Sequence, residues 1–169
     1  MIDAHSPRDY SGNKCKFVGV EGIVTGIVFQ GGAGMVLDGK GRMTVPARHR
    51  EGLKAVCEDR LTITKNPKRC LTIFPRPAWE AFRAKLLALP MSVDDWRRIY
   101  LGSAMDVEID GASRVLIAPE LREWAGLERD VLLVGMGSRF ELWDKTRHDA
   151  HEATVLAAGL PDVLRETVM

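Results

Sequence analysis

Two short loops carry the side chains of this chain that are best suited to chemistry. Each loop places an aspartate four positions before an arginine, with glycine between them, in residues 38–42 and 110–114. Aspartate accepts hydrogen bonds from the amides of a turn that follows it, and glycine tolerates the positive φ of tight turns. The arginine can pair back to the aspartate or extend its planar donors toward a phosphate or a guanine edge. Such a basic loop favours nucleic-acid binding; the alternative interpretation is a turn whose Asp and Gly serve only the backbone.

The two loops belong to a longer internal repeat. The same 72 positions separate Asp38 from Asp110 and Arg50 from Arg122. After each loop come a β-rich tripeptide, a proline and an Arg-Glu pair. A unit with only a few short strands is marginal alone, and repeated units usually pair to close a shared core. The sequence therefore predicts two alike units that share one core.

The elements that must position these loops follow from apolar periodicity and from glycine and proline. Strands are predicted near residues 35–37, 42–45, 61–64, 71–74, 105–109, 114–117, 131–134 and 140–143. Turns are predicted at 67–69 and 135–138, and short helices after the prolines at 47–54 and 120–125. Amphipathic spacing predicts longer helices at 77–89, from an N-cap at Ser92 onward, and at 144–158.

This pattern divides the chain into five segments. The predicted segments are a poorly ordered N-terminal extension (1–28), a first repeat (29–76), connecting helices (77–104), a second repeat (105–145), and a C-terminal helix and tail (146–169). Residues 14–29 superficially resemble a signal peptide, but Glu21 and three glycines interrupt the apolar run. We therefore expect an extension and not an export signal, and no membrane span.

Charge is distributed unevenly between the repeats. The formal net charge is only +1, so a nucleic-acid footprint must be a local patch. Residues 38–54 contain five cationic and two anionic side chains, whereas the matching residues 110–123 contain two and three. We expect the first repeat to carry the basic patch. The predicted DNA-binding residues are Asp38, Lys40, Gly41, Arg42, Arg48, Arg50, Asp110 and Arg114.

Some charged and aromatic side chains allow two interpretations. Lys68 and Arg69 could extend a phosphate footprint or form a solvated charged face. The large aromatic residues could stack on bases, but their helical spacing and strand-end positions favour core packing. These residues are Trp79, Phe82, Trp96, Trp124 and Trp143.

Other chemistries find little support. The three cysteines are an odd number without C-x-x-C spacing, which argues against a disulfide framework or a zinc site and favours small apolar fillers. His148 and His151 have loose metal-ligand spacing but no partner cluster. No catalytic or phosphate-loop motif occurs. We expect neither an enzyme nor a cofactor, a metal or a small-molecule substrate.

The motifs resemble the MraZ family of bacterial transcriptional regulators, a tandem-repeat branch of the AbrB-like swapped-hairpin fold. The resemblance covers residues 29–143 and rests on the two D-x-x-x-R loops, the R-x-x-x-P-A segment at 42–47, the L-R-E-W-A-G-L segment at 121–127, and Trp143. It implies an α+β fold of two β-rich swapped-hairpin repeats that form a pseudo-twofold barrel with peripheral helices. It also implies DNA contact by the loop arginines, here Arg42 and Arg114.

The same resemblance implies a cellular role. Such a protein is cytoplasmic and nucleoid-associated, and it assembles as a ring-shaped homo-oligomer. It binds direct repeats in double-stranded DNA upstream of the division and cell-wall gene cluster, its own gene included, and represses transcription. A competing interpretation is an antitoxin-like interaction module of the same fold, in which residues 144–169 hold a protein partner.

Three departures from the family pattern concern this chain. Residues 1–28 precede the usual start, so we expect an extension or a misplaced start codon. Pro119 stands one place later than the register of Pro46 predicts. The second loop has Ala112 and Ser113 where the first has lysine and glycine, so we expect it to bind DNA more weakly.

Overall fold

The computed structural model describes residues 27–168 of the chain. The first repeat contains β1 (Phe29–Val36), β2 (Arg42–Thr44), α1 (Ala47–Cys57), β3 (Arg60–Asn66) and β4 (Cys70–Pro75). Two connecting helices follow, α2 (Arg76–Ala88) and α3 (Asp94–Gly102), with a 3-10 turn at Met91–Val93 between them. The second repeat contains β5 (Met105–Glu108), β6 (Arg114–Leu116), α4 (Pro119–Ala125), β7 (Asp130–Gly137) and β8 (Phe140–Asp144). The chain ends in α5 (Lys145–Ala158) and α6 (Asp162–Val168).

The two repeats exchange strands. Six strands form one antiparallel sheet in the order β1-β7-β8-β4-β3-β5, and β2 pairs with β6 in a separate ribbon. β1 of the first repeat therefore pairs with β7 of the second, and β5 of the second pairs with β3 of the first. This arrangement confirms the predicted α+β fold of two swapped-hairpin units.

A pseudo-twofold axis relates the repeats. Met43 and Val115 occupy matching positions of the repeats and face each other across the β2–β6 ribbon. Thr72 and Glu141 also match, and they face each other across the β4–β8 pair. Two sets of equivalent residues opposite one another place the axis through both strand pairs.

The core lies between the ribbon and the six-stranded sheet. The ribbon contributes Met43 and Val115, and the residues directly after its two strands add Val45 and Ile117; each is at most 2% exposed. These side chains belong to one cluster with buried residues of the sheet, among them Ile63, Leu71, Ile73, Leu133 and Leu142. Full burial of such a side chain contributes about 1.5–3 kcal/mol, so the ribbon that carries both arginine loops is fixed to the sheet by its inner face.

Helix starts follow the repeat even where proline is displaced. Pro46 is the N-cap of α1, and Ala118, not Pro119, is the N-cap of α4, with nearly the same φ and ψ. Pro119 then occupies the first turn of its helix, where proline is tolerated because that N–H has no intrahelical partner. The one-residue shift of the proline therefore leaves the equivalent helix starts in register.

The structure extends two strands beyond their predicted limits. β1 begins at Phe29 and includes a glycine-rich stretch, while β7 continues to Gly137. The two strands pair from Phe29↔Gly137 to Val36↔Asp130. A Cβ at Gly135 would lie 2.5 Å from the Gln30 backbone nitrogen, so glycine permits this close approach. The predicted turn at 135–138 is therefore wrong over most of its length, because pairing with β1 keeps that segment extended.

Two predictions in the connecting helices are wrong. Ser92 does not cap α3; Val93 precedes the helix without a side-chain cap. Arg97 anchors this connection instead, through hydrogen bonds to the carbonyls of Leu86 and Leu89 at 3.3 and 2.6 Å. Trp96 is 50% exposed and does not pack in the core.

The remaining packing predictions can be compared directly. Trp79 and Trp143 are buried, as core packing requires. Cys57 and Cys70 are buried free thiols, which confirms their assignment as fillers. Cys15 and the rest of residues 1–26 lie outside the described residues, whereas Ile27 packs against the core. Within residues 27–168, no helix is both long enough and apolar enough to cross a bilayer.

Candidate nucleic-acid interface

The first arginine loop is organised by Asp38. Its Oδ1 accepts hydrogen bonds from the backbone N–H groups of Lys40 and Arg42, at 2.9 and 3.0 Å. Its Oδ2 accepts from Nε of Arg42 at 2.7 Å. Gly41 takes a positive φ of 78° and donates its N–H to the Asp38 carbonyl at 2.9 Å. One carboxylate thus fixes both the turn and the base of the arginine side chain.

The second loop repeats this arrangement around Asp110. Its Oδ1 accepts from the backbone N–H groups of Ala112 and Arg114, both at 2.9 Å. Its Oδ2 lies 3.0 Å from both Nε and a terminal nitrogen of Arg114. Ser113 stands where the first loop has glycine and still adopts a positive φ of 59°. The loop shape is therefore kept, with a left-handed conformation that is less favourable for serine than for glycine.

The same hydrogen bonds set the acidity of the two carboxyl groups. The Arg42 backbone N–H, with smaller contributions from its side chain and from the Lys40 N–H, lowers the pKa of Asp38 from 3.8 to about 2. The Arg114 backbone N–H is likewise the main cause that lowers the pKa of Asp110. Both aspartates are anionic at neutral pH, which suits them to hold an arginine and not to meet a phosphate.

Each loop is anchored by the other repeat. The Val45 N–H donates to the Ser113 carbonyl at 2.8 Å, and the Ile117 N–H donates to the Gly41 carbonyl at 3.0 Å. These two bonds are equivalent under the pseudo-twofold axis. Because the carbonyl of each loop accepts a hydrogen bond from the segment that follows the strand of the other repeat, the position of each loop depends on the β2–β6 pairing.

The two loop arginines lie on one face of the ribbon. Arg42 is opposite Leu116 and Thr44 is opposite Arg114 in the β2–β6 register. Since residues alternate faces along a strand and directly opposite residues share a face, all four lie on the side away from the buried Met43 and Val115. The side chains of Arg42 and Arg114 are 28% and 35% exposed, so neither is enclosed. The arginines are diagonal neighbours, a relation that typically separates two residues by about 7–8 Å, with their Cβ atoms somewhat closer.

The matched residues Arg50 and Arg122 support the strand ends. Nε of Arg50 donates to the Val45 carbonyl at 2.9 Å, and Nε of Arg122 donates to the Ile117 carbonyl at 3.1 Å. Arg122 also lies against the first loop: a Cβ built on Gly41 would be 2.5 Å from its Nε. Glycine at position 41 is thus favoured both by its φ and by the close approach of the arginine of the other repeat.

The remaining predicted residues fall into two environments. Lys40 is exposed at the loop tip, with its backbone N–H bound to Asp38. Arg48 is exposed and more distant: its guanidinium donates to the Gly32 carbonyl at 2.9 Å and its Nε to Nε2 of His49 at 3.1 Å. Arg48 therefore ties α1 to β1, and the structure does not join it to either loop by a contact.

The first loop borders a groove that the sequence analysis did not assign. This groove has a volume of about 520 Å³. It is lined by Val36, Leu37, Asp38, Gly39, Arg122, Glu128 and Arg129. Arg129 also accepts the Leu37 N–H through its carbonyl at 2.9 Å. The strand exchange places these second-repeat arginines beside the first loop, and the repeated Arg50–Arg122 match was the signal that could have found Arg122.

The two histidines considered as metal ligands lie on α5, against an aromatic ring and not at the arginine loops. His148 and His151 contact Trp143 with ring centroids 5.7 and 5.1 Å away. Among residues 27–168, no group of three or more His, Cys, Asp or Glu side chains is arranged to hold a metal ion.

Comparison with known proteins gives consistent matches. The family model described as "MraZ protein, putative antitoxin-like" matches residues 28–101 and again residues 100–167. The chain is 61% identical over 138 residues to "Transcriptional regulator MraZ" of Methylibium petroleiphilum, a match that covers 82% of this chain and 94% of that protein. It is 56% identical over 138 residues to the proteins of the same name from Burkholderia cenocepacia and Burkholderia vietnamiensis, over 82% of this chain and 97% of theirs.

Proposed function

The chain belongs to the MraZ family of transcriptional regulators, and we propose that it regulates transcription by binding promoter DNA through residues 38–42 and 110–114. It is a regulator and not an enzyme. The observation that carries the proposal is the placement of Arg42 and Arg114 on one outward face of the ribbon, as diagonal neighbours. A spacing of about 7–8 Å lies within the roughly 12 Å width of one major groove.

The hydrogen bonds of the first loop leave its arginine able to bind. Only Nε of Arg42 is bound to Asp38, so both terminal nitrogens can contact a guanine edge or a phosphate. Arg114 has a terminal nitrogen as well as Nε near its aspartate. We therefore assign the stronger contact to the first loop. The aspartates hold the arginines in place and so reduce the entropy lost on binding.

Further cations would add sequence-independent affinity. Lys40 projects from the tip of the first loop, and Arg122 and Arg129 line the adjacent groove. Contacts of such residues with phosphates position a protein on the duplex and make binding depend on salt. Arg50 supports the strand end through the Val45 carbonyl, and we assign it an indirect role in placing the loop.

The finer role follows the family resemblance. The regulator represses the division and cell-wall gene cluster and its own promoter by covering direct repeats there. A ring of copies presents several loop pairs at once, and multivalency converts weak single contacts into tight occupancy. This role places the protein in the cytoplasm, on the nucleoid.

A gel-shift titration at fixed salt tests the proposal, with a duplex from the region upstream of the gene for this chain. Arg42→Ala should weaken binding by about 1–3 kcal/mol, or roughly 5- to 150-fold. Arg114→Ala should weaken it less. Arg83→Ala is the matched control, because Arg83 is an exposed arginine on α2. Unchanged binding by Arg42→Ala would show that this loop does not contact DNA.

An antitoxin-like function is the second candidate, because the matching family model carries that description. It requires a stoichiometric protein partner that copurifies with the chain. It also predicts that Arg42→Ala leaves partner capture intact, whereas a regulator should show a steep dependence of DNA affinity on salt concentration.

A further inference from the structure

A second surface of the protein is unrelated to the arginine loops. A groove of about 530 Å³ lies between β3, α3 and α4. Its lining includes Trp124, Ile99, Lys65 and Arg98, and we call it the tryptophan groove. The groove combines an aromatic wall with cationic side chains, which suits an occupant that is both apolar and acidic.

Trp124 is held in an unusual environment. Nζ of Lys65 lies 4.6 Å from the centre of its ring, and the Arg69 guanidinium carbon lies 4.1 Å from it. Its indole N–H is shielded from solvent and has no acceptor among the described residues. A shielded donor without an acceptor is costly, so an occupant of the groove that supplies an oxygen acceptor would offset that cost.

The C-terminal segment is the complementary feature. Every residue from 152 to 167 is exposed, so the second half of α5 and the part of α6 up to Thr167 stand away from the body; we call residues 152–167 the arm. Five large apolar side chains of the arm are between 44% and 74% exposed. They are Val155, Leu156, Leu160, Val163 and Leu164. Such a concentration of exposed apolar side chains marks an interaction site.

We propose that the arm of one copy of this chain docks in the tryptophan groove of a second copy. The charges are complementary. The arm carries three anionic side chains, Glu152, Asp162 and Glu166, and one cation, Arg165. Around the groove, three cations (Lys65, Arg69 and Arg98) stand against Asp95. The apolar side chains of the arm meet Trp124 and Ile99, while the acidic ones meet the cations.

This contact is head-to-tail, because the two surfaces that meet are different. Such a contact joins copies in one orientation and closes into a ring when the rotation between copies allows it. The inference rests on the proposed function in one respect: the contact between arm and groove is the interface between copies in the ring proposed there. Copies joined head-to-tail present their arginine loops in the same direction, which matches direct repeats, since these are DNA sites that also run in the same direction.

Sedimentation velocity of the full chain without DNA tests the interface. In the arm variant, Leu156→Glu with Val163→Glu, two of the most exposed apolar residues become charged. In the groove variant, Lys65→Glu with Arg98→Glu, two groove cations are reversed. We expect the wild type to sediment as an assembly and each variant as a single chain. Leu87→Glu, at an exposed apolar residue of α2, should keep the wild-type assembly.

A mixture of the two variants gives the sharpest result. The groove variant has an intact arm and the arm variant has an intact groove, so the mixture should form a species of two chains and nothing larger. Continued assembly of either variant alone, or a wild type that is a single chain, would overturn the proposed contact. Binding to a duplex with one repeat separates the two proposals, because the arm variant should bind it as the wild type does and Arg42→Ala should bind it more weakly.

Discussion

The Ile117 backbone N–H donates to the Gly41 carbonyl at 3.0 Å, so the second repeat holds the tip of the first arginine loop. The reciprocal bond runs from Val45 to Ser113 at 2.8 Å. Neither repeat therefore builds a finished loop alone. Changes in one repeat should alter the loop of the other, and this coupling underlies the expectations below.

Substitution of Gly41 by alanine should be costly. Gly41 has a φ of 78°, where a Cβ adds about 1–2 kcal/mol of strain. That Cβ would also lie 2.5 Å from Nε of Arg122, which must then leave the Ile117 carbonyl. We expect the free energy of unfolding to fall by roughly 1–3 kcal/mol in urea titrations.

Ser113→Ala is the matched control for Gly41→Ala. The position is equivalent and its φ is 59°, but a Cβ is already present there. We expect its free energy of unfolding to change by less than about 0.5 kcal/mol, as at most surface sites. Equal losses for the two alanine variants would contradict both the backbone strain at position 41 and the constraint from Arg122.

Arg122→Ala should weaken DNA binding through the first loop. Its Nε bonds the Ile117 carbonyl, which belongs to the strand end that anchors Gly41. We expect a loss of about 1 kcal/mol in the free energy of unfolding and weaker binding in gel shifts. If Arg122 acts mainly by positioning Arg42, the two losses of binding should not add in the double variant.

Arg122→Lys separates support from charge. Lysine keeps the positive charge but lacks the planar donor that lies beside Gly41 and bonds the Ile117 carbonyl. Retained loop stability and retained DNA affinity in Arg122→Lys would contradict a positioning role. Retained affinity with lost stability would indicate that Arg122 meets DNA through its charge alone.

The structures of the loops were largely predictable and the topology of the sheet was not. Asp38 and Gly41 act on neighbours within five residues, so turn chemistry alone indicates their roles. β1 contains glycine at 31, 32 and 34, a residue with low strand propensity, and it is extended because it pairs with β7 of the other repeat. Local sequence carries no signal for such a distant partner.

Contacts between residues distant in sequence also explain why the environment of the first loop was not fully predicted. Arg122 and Arg129 lie beside the first loop because the strands are exchanged, and their own sequence neighbours indicate nothing of this. Arg48 lies near the first loop in sequence, yet its guanidinium bonds Gly32 in β1. The DNA-binding roles of the residues predicted from the sequence stay predictions, which the substitutions in the two arginine loops test.

Acidification should remove the stabilising effect of Asp38. The pKa of this carboxyl is about 2 in the folded chain against an ordinary 3.8, so the ionised form favours folding. Its contribution is complete above the ordinary pKa and is lost as the pH falls through 3.8 toward 2. The difference in unfolding free energy between wild type and Asp38→Asn should therefore shrink between pH 5 and roughly 2.5.

Urea titrations at several pH values measure this difference. Asp110→Asn should show the same direction, because the Arg114 backbone N–H also lowers the pKa of Asp110. Asp149→Asn is a control away from the loops: its pKa is lowered by Lys145 on α5, so its pH effect should not extend to DNA binding. A difference for Asp38→Asn that is constant down to pH 2.5 would contradict the assigned hydrogen bonds.

Addition of a lysine to the second loop, at the position that matches Lys40 of the first, should strengthen DNA binding. Lys40 projects from the first loop, and Ala112 occupies the matching position of the second loop and is exposed. Ala112→Lys should steepen the dependence of log K on log salt by up to about 0.9, the value for one additional neutralised phosphate. Lys40→Ala should reduce that slope by a similar amount. Ala84→Lys adds the same charge at an exposed position of α2 and should leave the slope unchanged. An equal effect of Ala84→Lys would assign the gain to net charge, whereas no effect of Ala112→Lys would place the second loop away from the DNA backbone.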